Sequence, residues 1–281
     1  MPQGKKVWFI TGISRGLGKE LARAVLARGD VVVGTSRNGR ADLDAGDGEL
    51  LVLPMDVNNM KQVEAAVERA YSLHWRLDYV VNNAGYGLLG AVEEVSQAQA
   101  RGVFETNFFG SLNVIRAALP TLRAQRRGHI LNVSSVGGFT SIAGAGIYNA
   151  SKFALEGMSE ALALELAPLG VRVTIVEPGA FRTDFLTPDS LQMSSNSIDD
   201  YVETSGRMLA HFDQINGKQP GDPAAAAAAI LEMVDSPSPP LRLALGGDAL
   251  ERMRRKLRQV EQDLDRWESL SLSTSYETVN S

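Results

Sequence analysis

Strand-length runs rich in Val, Ile and Leu alternate with helical patterns through most of the 281 residues. The runs are Val7–Ile10, Val31–Thr35, Leu50–Leu53, Tyr79–Asn82, His129–Val133 and Val171–Glu177. Helical patterns occupy about 17–28, 59–73, 97–124 and 149–168. A strand apolar on both faces must be covered on both faces, which requires a parallel sheet sandwiched between helices. Right-handed crossovers then give an α/β, doubly wound, Rossmann-type sheet with its ligand cleft at the carboxyl ends of the strands. The reading is one catalytic domain over 1–247 with a helical extension over 248–281.

Three segments break the rhythm. Residues 181–220 are irregular but carry Phe185, Leu186, Met193, Tyr201, Met208 and Phe212, the composition of a lid over an apolar substrate. Asp222-Pro223 ahead of six alanines reads as an N-cap, a proline at the first helical position and a strong helix former. From Ala249 to Trp267 apolar residues recur at three- and four-residue steps, predicting an amphipathic helix that docks on the body or pairs with another subunit.

The first strand runs into Thr11-Gly12-Ile13-Ser14-Arg15-Gly16-Leu17-Gly18 and then a helix. Glycines let the backbone turn sharply and approach an anion, and the helix start offers free N–H groups to a pyrophosphate. The second strand ends at Thr35-Ser36-Arg37, where an NAD enzyme places an acid for the ribose 2′-hydroxyl; the first acid comes only at Asp42. Arg15 and Arg37 instead suit a 2′-phosphate, so NADP(H) is expected over NAD(H). Asp56-Val57 closes the third strand, with Asp56 facing the adenine or capping the next helix. Asn82-Asn83-Ala84-Gly85 closes the fourth, leaving room for the cofactor ribose.

Tyr148 and Lys152 lie four residues apart, on one helix face. A cation ~4 Å from the phenol is worth roughly 4 kcal/mol at an effective dielectric of about 20. That is enough to bring a group titrating near ~10 toward neutrality. Upstream, Asn132-Val133-Ser134-Ser135 ends the fifth strand; alternation aims Ser135 rather than Ser134 at a substrate oxygen. Asn107 sits in an otherwise apolar helical stretch and needs a backbone or lysine partner.

Together these motifs resemble the short-chain dehydrogenase/reductase family over about residues 5–185. Thr11 to Gly18 matches its TGxxxGxG loop, Asn83-Ala84-Gly85 its NAG element, and Pro178-Gly179 with Thr183 its nicotinamide carboxamide segment. Asn107, Ser135, Tyr148 and Lys152 fall on its catalytic tetrad. The resemblance implies proton transfer by Tyr148, ribose binding by Lys152, substrate orientation by Ser135 and a water relay at Asn107. It also implies a homodimer or homotetramer burying helices 97–124 and 149–168. The tail beyond Leu245 is more like the steroid or retinoid members.

The expected chemistry is hydride transfer between NADP(H) and a fairly apolar ketone, aldehyde or secondary alcohol. The alternatives are a reductase of a polar or thioester-bound ketone, and a non-catalytic redox sensor, which has no need of an intact Tyr148 and Lys152. The net charge of −5 argues against a nucleic-acid partner, and the basic run from Arg252 to Arg258 reads as a solvated helix face. The chain has no cysteine, fitting a cytoplasmic protein, and no run of ~18 apolar residues points to a membrane. His74, His129 and His211 are too dispersed for a metal motif, so no metal is expected.

Overall fold

A computed structural model describes residues 4–276. The elements run β1 (Val7–Thr11), α1 (Gly16–Ala27), β2 (Val31–Ser36), β3 (Glu49–Pro54), α2 (Met60–His74), β4 (Tyr79–Asn82) and β5 (Gly87–Leu89). Then follow α3 (Gln97–Phe104), α4 (Ser111–Gln125), β6 (Gly128–Val133), α5 (Gly146–Leu166), β7 (Val171–Pro178) and β8 (Leu191–Met193). The chain continues through α6 (Arg207–Ile215), α7 (Pro223–Asp235), β9 (Arg242–Leu245) and α8 (Gly247–Leu272).

Seven strands form one parallel sheet in the order β3-β2-β1-β4-β6-β7-β9. Strand order reverses between β1 and β4, so the crevice at their carboxyl ends is the topological switch point. Alternation along β1 divides two cores. Val7 and Phe9 join Val63 and Val67 of α2, Val114 and Ile115 of α4 and Leu162 of α5. Trp8 and Ile10 join Leu21 and Val25 of α1 and Ala226 and Ile230 of α7 on the other face. Each of the Val, Leu, Ile and Phe side chains contributes roughly 1.5–3 kcal/mol when fully buried. The alanine run supplies a small-residue face to that second layer, and Asp222 accepts the Ala224 N–H at 2.9 Å as its cap.

The structure refines three expectations. The single helix predicted over 97–124 contains a π-helical turn at Glu105–Gly110 between α3 and α4. Such a wide turn admits an extra residue and is frequent at functional sites. The segment 181–220 is more ordered than expected: β8 pairs with β5 in a small parallel sheet, and α6 follows. The tail helix docks only at its root. Ala249 is buried, Arg252 and Met253 are half-buried, and every residue from Arg254 to Tyr276 is exposed.

One polar cluster ties the last strand to the body. Arg242 on β9 donates to Glu156 and Glu160 of α5 at 2.6 Å each and to Glu177 of β7 at 2.5 Å. Glu177 is fully buried, and burial followed by the Glu156 charge pushes its carboxyl above the ordinary carboxylate range. A raised carboxyl binds its proton preferentially in the folded state, so its contribution to stability is present at low pH and is lost as pH rises through the raised value. Arg242→Met is expected to cost about 3–5 kcal/mol in denaturant unfolding, because buried carboxylates lose their cation. The cost should be larger at pH 7 than at pH 5; a variant equally stable at both would overturn this account.

Candidate active site

Cofactor geometry starts at the end of β1. Gly12 and Gly16 take the left-handed conformation, with φ of +74° and +60°, which disfavours a Cβ. A Cβ on Gly18 would lie 2.5 Å from the Gly12 carbonyl oxygen and against the Asn83 amide. The loop is stapled to the end of β4. Thr11 Oγ1 accepts the N–H groups of Asn83 at 3.0 Å and Ala84 at 2.9 Å, while Asn83 Nδ2 donates to the Thr11 and Gly12 carbonyls. Helix α1 starts with no side-chain cap and no acid in its first turn. Its N–H groups and positive dipole end therefore face the crevice, where an anion fits.

A cavity of about 540 Å³ runs from this loop along the switch point. Its walls include Gly12, Ser14, Arg15, Gly16, Leu17, Ser36, Arg37, Asp56, Val57, Asn83, Ala84 and Gly85 at one end. Ser135, Tyr148, Lys152, Pro178, Gly179 and Thr183 line the other. Of the residues expected from the sequence, only Gly18 and Asn107 lie behind the wall. The 181–220 segment contributes Phe185, Leu186 and Phe212 to the lining, whereas Met193, Tyr201 and Met208 face elsewhere. His211 is exposed.

Three side chains are engaged differently from expectation. Arg15 donates to the Asp189 carbonyl at 2.6 Å and pairs with its carboxylate at 3.4 Å, so it holds the 181–220 segment over the loop. Ser36 Oγ closes its own turn, accepting from Arg40 N at 2.9 Å. Arg37 is exposed at the cavity rim and makes no ion pair among the described residues. The capping alternative for Asp56 is corrected: Asn59 caps α2 by accepting from Gln62 N, and Asp56 accepts from Asn58 N within its own turn. Val57 lies beneath, its carbonyl accepting from Asn113 at 3.0 Å.

At the other end, Ser134 and Ser135 part as alternation requires. Ser134 is buried and donates to Glu156 at 2.6 Å. Ser135 lines the cavity beside Tyr148 and accepts from Gly137 N at 3.0 Å. Asn107, in the π-helical turn, clamps the backbone of Tyr86: Oδ1 accepts its N–H and Nδ2 donates to its carbonyl, both at 3.0 Å. Nδ2 also donates to Ser151 Oγ at 3.1 Å, so the partners are backbone and serine rather than lysine. Its own carbonyl accepts from Ser111 at 3.0 Å.

Lys152 is buried and donates to the Val133 carbonyl at 2.9 Å. Burial brings its ammonium down to about 8, opposed by the charge of Glu156. Burial pushes the Tyr148 phenol up to about 12, and the nearby Ser135 hydroxyl acts the other way. The expected pull of Lys152 on the phenol is not among the causes of this shift; burial moves each group in the direction of its neutral form, and the lysine keeps its charge below about 8. Desolvation wins because the lysine is itself deprived of water.

Two contributors carry no local sequence signal. Asp248, at the start of α8, accepts the Ala180 N–H at 2.8 Å and holds the Pro178-Gly179 segment. Arg252, one turn on, lines the cavity and donates to Thr140 at 2.8 Å. Both are brought in by chain returning from nearly 70 or more residues away.

Comparisons with known proteins agree with this geometry. The family model described as short chain dehydrogenase matches residues 6–194. An oxidoreductase, BOA17, of Botryotinia fuckeliana is 36% identical over 96% of this chain and 99% of its own length. A 3-ketodihydrosphingosine reductase of Bacteroides thetaiotaomicron is 38% identical over 86% and 88%, and human retinol dehydrogenase 8 is 32% identical over 86% and 82%. The crystal structure of a short-chain dehydrogenase from Streptomyces avermitilis superposes with a TM-score of 0.88 at 39% identity, covering 98% of this chain and 100% of that one. The chain belongs to the short-chain dehydrogenase family.

Proposed function

We propose that the protein transfers a hydride between NADP(H) and a fairly apolar ketone, aldehyde or secondary alcohol, with Tyr148 as the acid/base. The observation that carries this reading is the continuity of one cavity from the Gly12–Gly18 loop to Ser135, Tyr148 and Lys152. The bound nicotinamide would supply or accept the hydride; everything else falls to this chain's residues.

The glycine loop and the α1 terminus would take the pyrophosphate, and Asn83-Ala84-Gly85 would leave room for the ribose. Arg37 is the side chain suited to a 2′-phosphate, since Arg15 is engaged by Asp189. Lys152 would meet the ribose hydroxyls, and the Pro178-Gly179 backbone with Thr183 would face the carboxamide. In the reductive direction Ser135 holds the carbonyl oxygen and Tyr148 Oη donates its proton to it. A phenol raised to about 12 is fully protonated at neutral pH, so the donor is in place before substrate enters. Phe185, whose ring lies 5.8 Å from that of Tyr148, together with Leu186 and Phe212, gives the substrate end an apolar wall. The names of two relatives, a keto-sphingoid reductase and a retinol dehydrogenase, describe carbonyl or alcohol substrates with apolar bodies, which supports the same class.

Three measurements test the reading. Tyr148→Phe is expected to lose at least about a thousandfold in kcat while keeping NADPH binding within about twofold, a loss within the reach of general acid–base catalysis. Appreciable turnover would remove Tyr148 from the reaction. Arg37→Ala should raise the KM for NADPH by about tenfold or more, in line with a charge-assisted bond of roughly 1.5–3 kcal/mol, and leave that for NADH nearly unchanged. A wild-type protein that uses NADH equally well sinks the NADP assignment. Because Lys152 is protonated below about 8 and neutral above it, kcat/KM for reduction should fall as pH rises through that value. A flat profile there would show that the lysine charge does not help the proton transfer.

A further inference from the structure

Helix α8 leaves the body after Met253 and continues for a further five turns with every residue exposed. Leu250, Met253, Leu257, Val260, Leu264 and Trp267 follow each other at alternating three- and four-residue steps. That spacing, a 3.5-residue period, defines a coiled-coil seam rather than the broader face of a core helix. The last four of these residues are 40–67% exposed, so none of the described residues of the protomer covers the seam there.

The charges beside the seam identify its occupant. With Leu250, Leu257 and Leu264 at one seam position and Met253, Val260 and Trp267 at the other, the flanking residues are Arg254, Lys256, Glu261, Asp263 and Glu268. The first two are basic and the rest acidic. We propose that α8 pairs with α8 of a second copy of this chain as an antiparallel coiled coil, Leu257 packing on the partner's Val260. In that register Arg254 faces the partner's Glu261 and Lys256 faces the partner's Asp263. The two-fold axis repeats both, making four complementary pairs. A parallel pair keeps Lys256 beside the partner's Glu261 but sets Asp263 beside the partner's Glu268, a repulsion made twice. Flanking charges choose orientation in this way.

The helix length fits the same register. Leu270 falls opposite the partner's Gly247, the first residue of its α8, so each helix runs to its partner's root and ends two residues later at Leu272. The two roots stand roughly 34 Å apart at 1.5 Å per residue, with the two bodies at opposite ends of the pair. Exposed Leu270 and Leu272, which lie outside the seam, then arrive beside the partner's body.

Full-length protein provides the test. Sedimentation velocity should show an assembly whose dissociation constant rises by at least about tenfold in Arg254→Glu/Lys256→Glu, since like charges then face each other. Adding Glu261→Arg and Asp263→Lys to that variant should restore it. The native chain has no cysteine, so orientation can be read by oxidation. Met253→Cys/Leu264→Cys should give a disulfide-linked dimer, while each single variant stays monomeric on a denaturing gel. Assembly indifferent to the charge reversal overturns the pairing, and cross-linking by a single variant overturns the antiparallel register. A tail that stays unpaired and co-sediments with phosphatidylglycerol vesicles shows that a membrane surface is the partner instead.

Discussion

The bond pattern at Thr11 and Asn83 fixes everything built at the switch point. One threonine hydroxyl accepts two N–H groups from the end of β4, and one asparagine amide returns two bonds to the β1 loop. Parallel neighbours β1 and β4 share ladder bonds only as far as Ile10 and Val81. Beyond them the two chains must diverge to follow opposite crossovers. The Thr11–Asn83 bonds hold the backbones together for the residues in which a ligand has to be gripped. They also explain why Gly18 tolerates no Cβ, since that volume is occupied by the Asn83 amide.

A second set of polar contacts continues this register across the sheet. Asn82 donates to Asn132 at 2.8 Å, and Asn132 donates to Ser159 of α5 at 2.7 Å. Ser134 joins Glu156 on the same helix, and Arg242 bridges Glu156 to Glu177. Buried polar groups are costly unless satisfied, so these contacts specify one placement of α5 rather than merely adding attraction. That placement sets Tyr148 and Lys152 against the ends of β4 and β6.

Much of this was legible because the decisive constraints are local or periodic. Val7–Ile10 and Val31–Thr35 read as buried strands because burial on both faces leaves no polar alternation. Asp222-Pro223 read correctly because capping is decided within three residues. Ser135 was separable from Ser134 because a strand alternates its faces. The misses follow from contacts without a local signature. Strands β5 and β8 have three residues each and exist only through their pairing. The π-helical turn around Asn107 preserves apolar spacing closely enough to pass for continuous helix. Asp56 and Asn59 both suit a cap, and the actual helix start decides between them. Arg15 looked free for a phosphate because its partner, Asp189, lies 174 residues away.

The protonation of the Tyr148–Lys152 pair is where sequence arithmetic and structure part most sharply. Coulomb's law between a phenolate and an ammonium presumes that both charges exist. The site makes each expensive: the same burial that removes water from the phenol removes it from the amine. At neutral pH the resting pair is therefore a neutral phenol beside an ammonium whose titration has moved close to the physiological range. That arrangement favours donation over abstraction, because losing the phenol proton creates charge in an apolar cleft. In the proposed reaction, giving it to a developing alkoxide would replace one oxyanion by another, with Lys152 and Ser135 lining the same cavity. Under the proposed chemistry, the burial that defeats a simple charge-pair argument would favour the direction of carbonyl reduction.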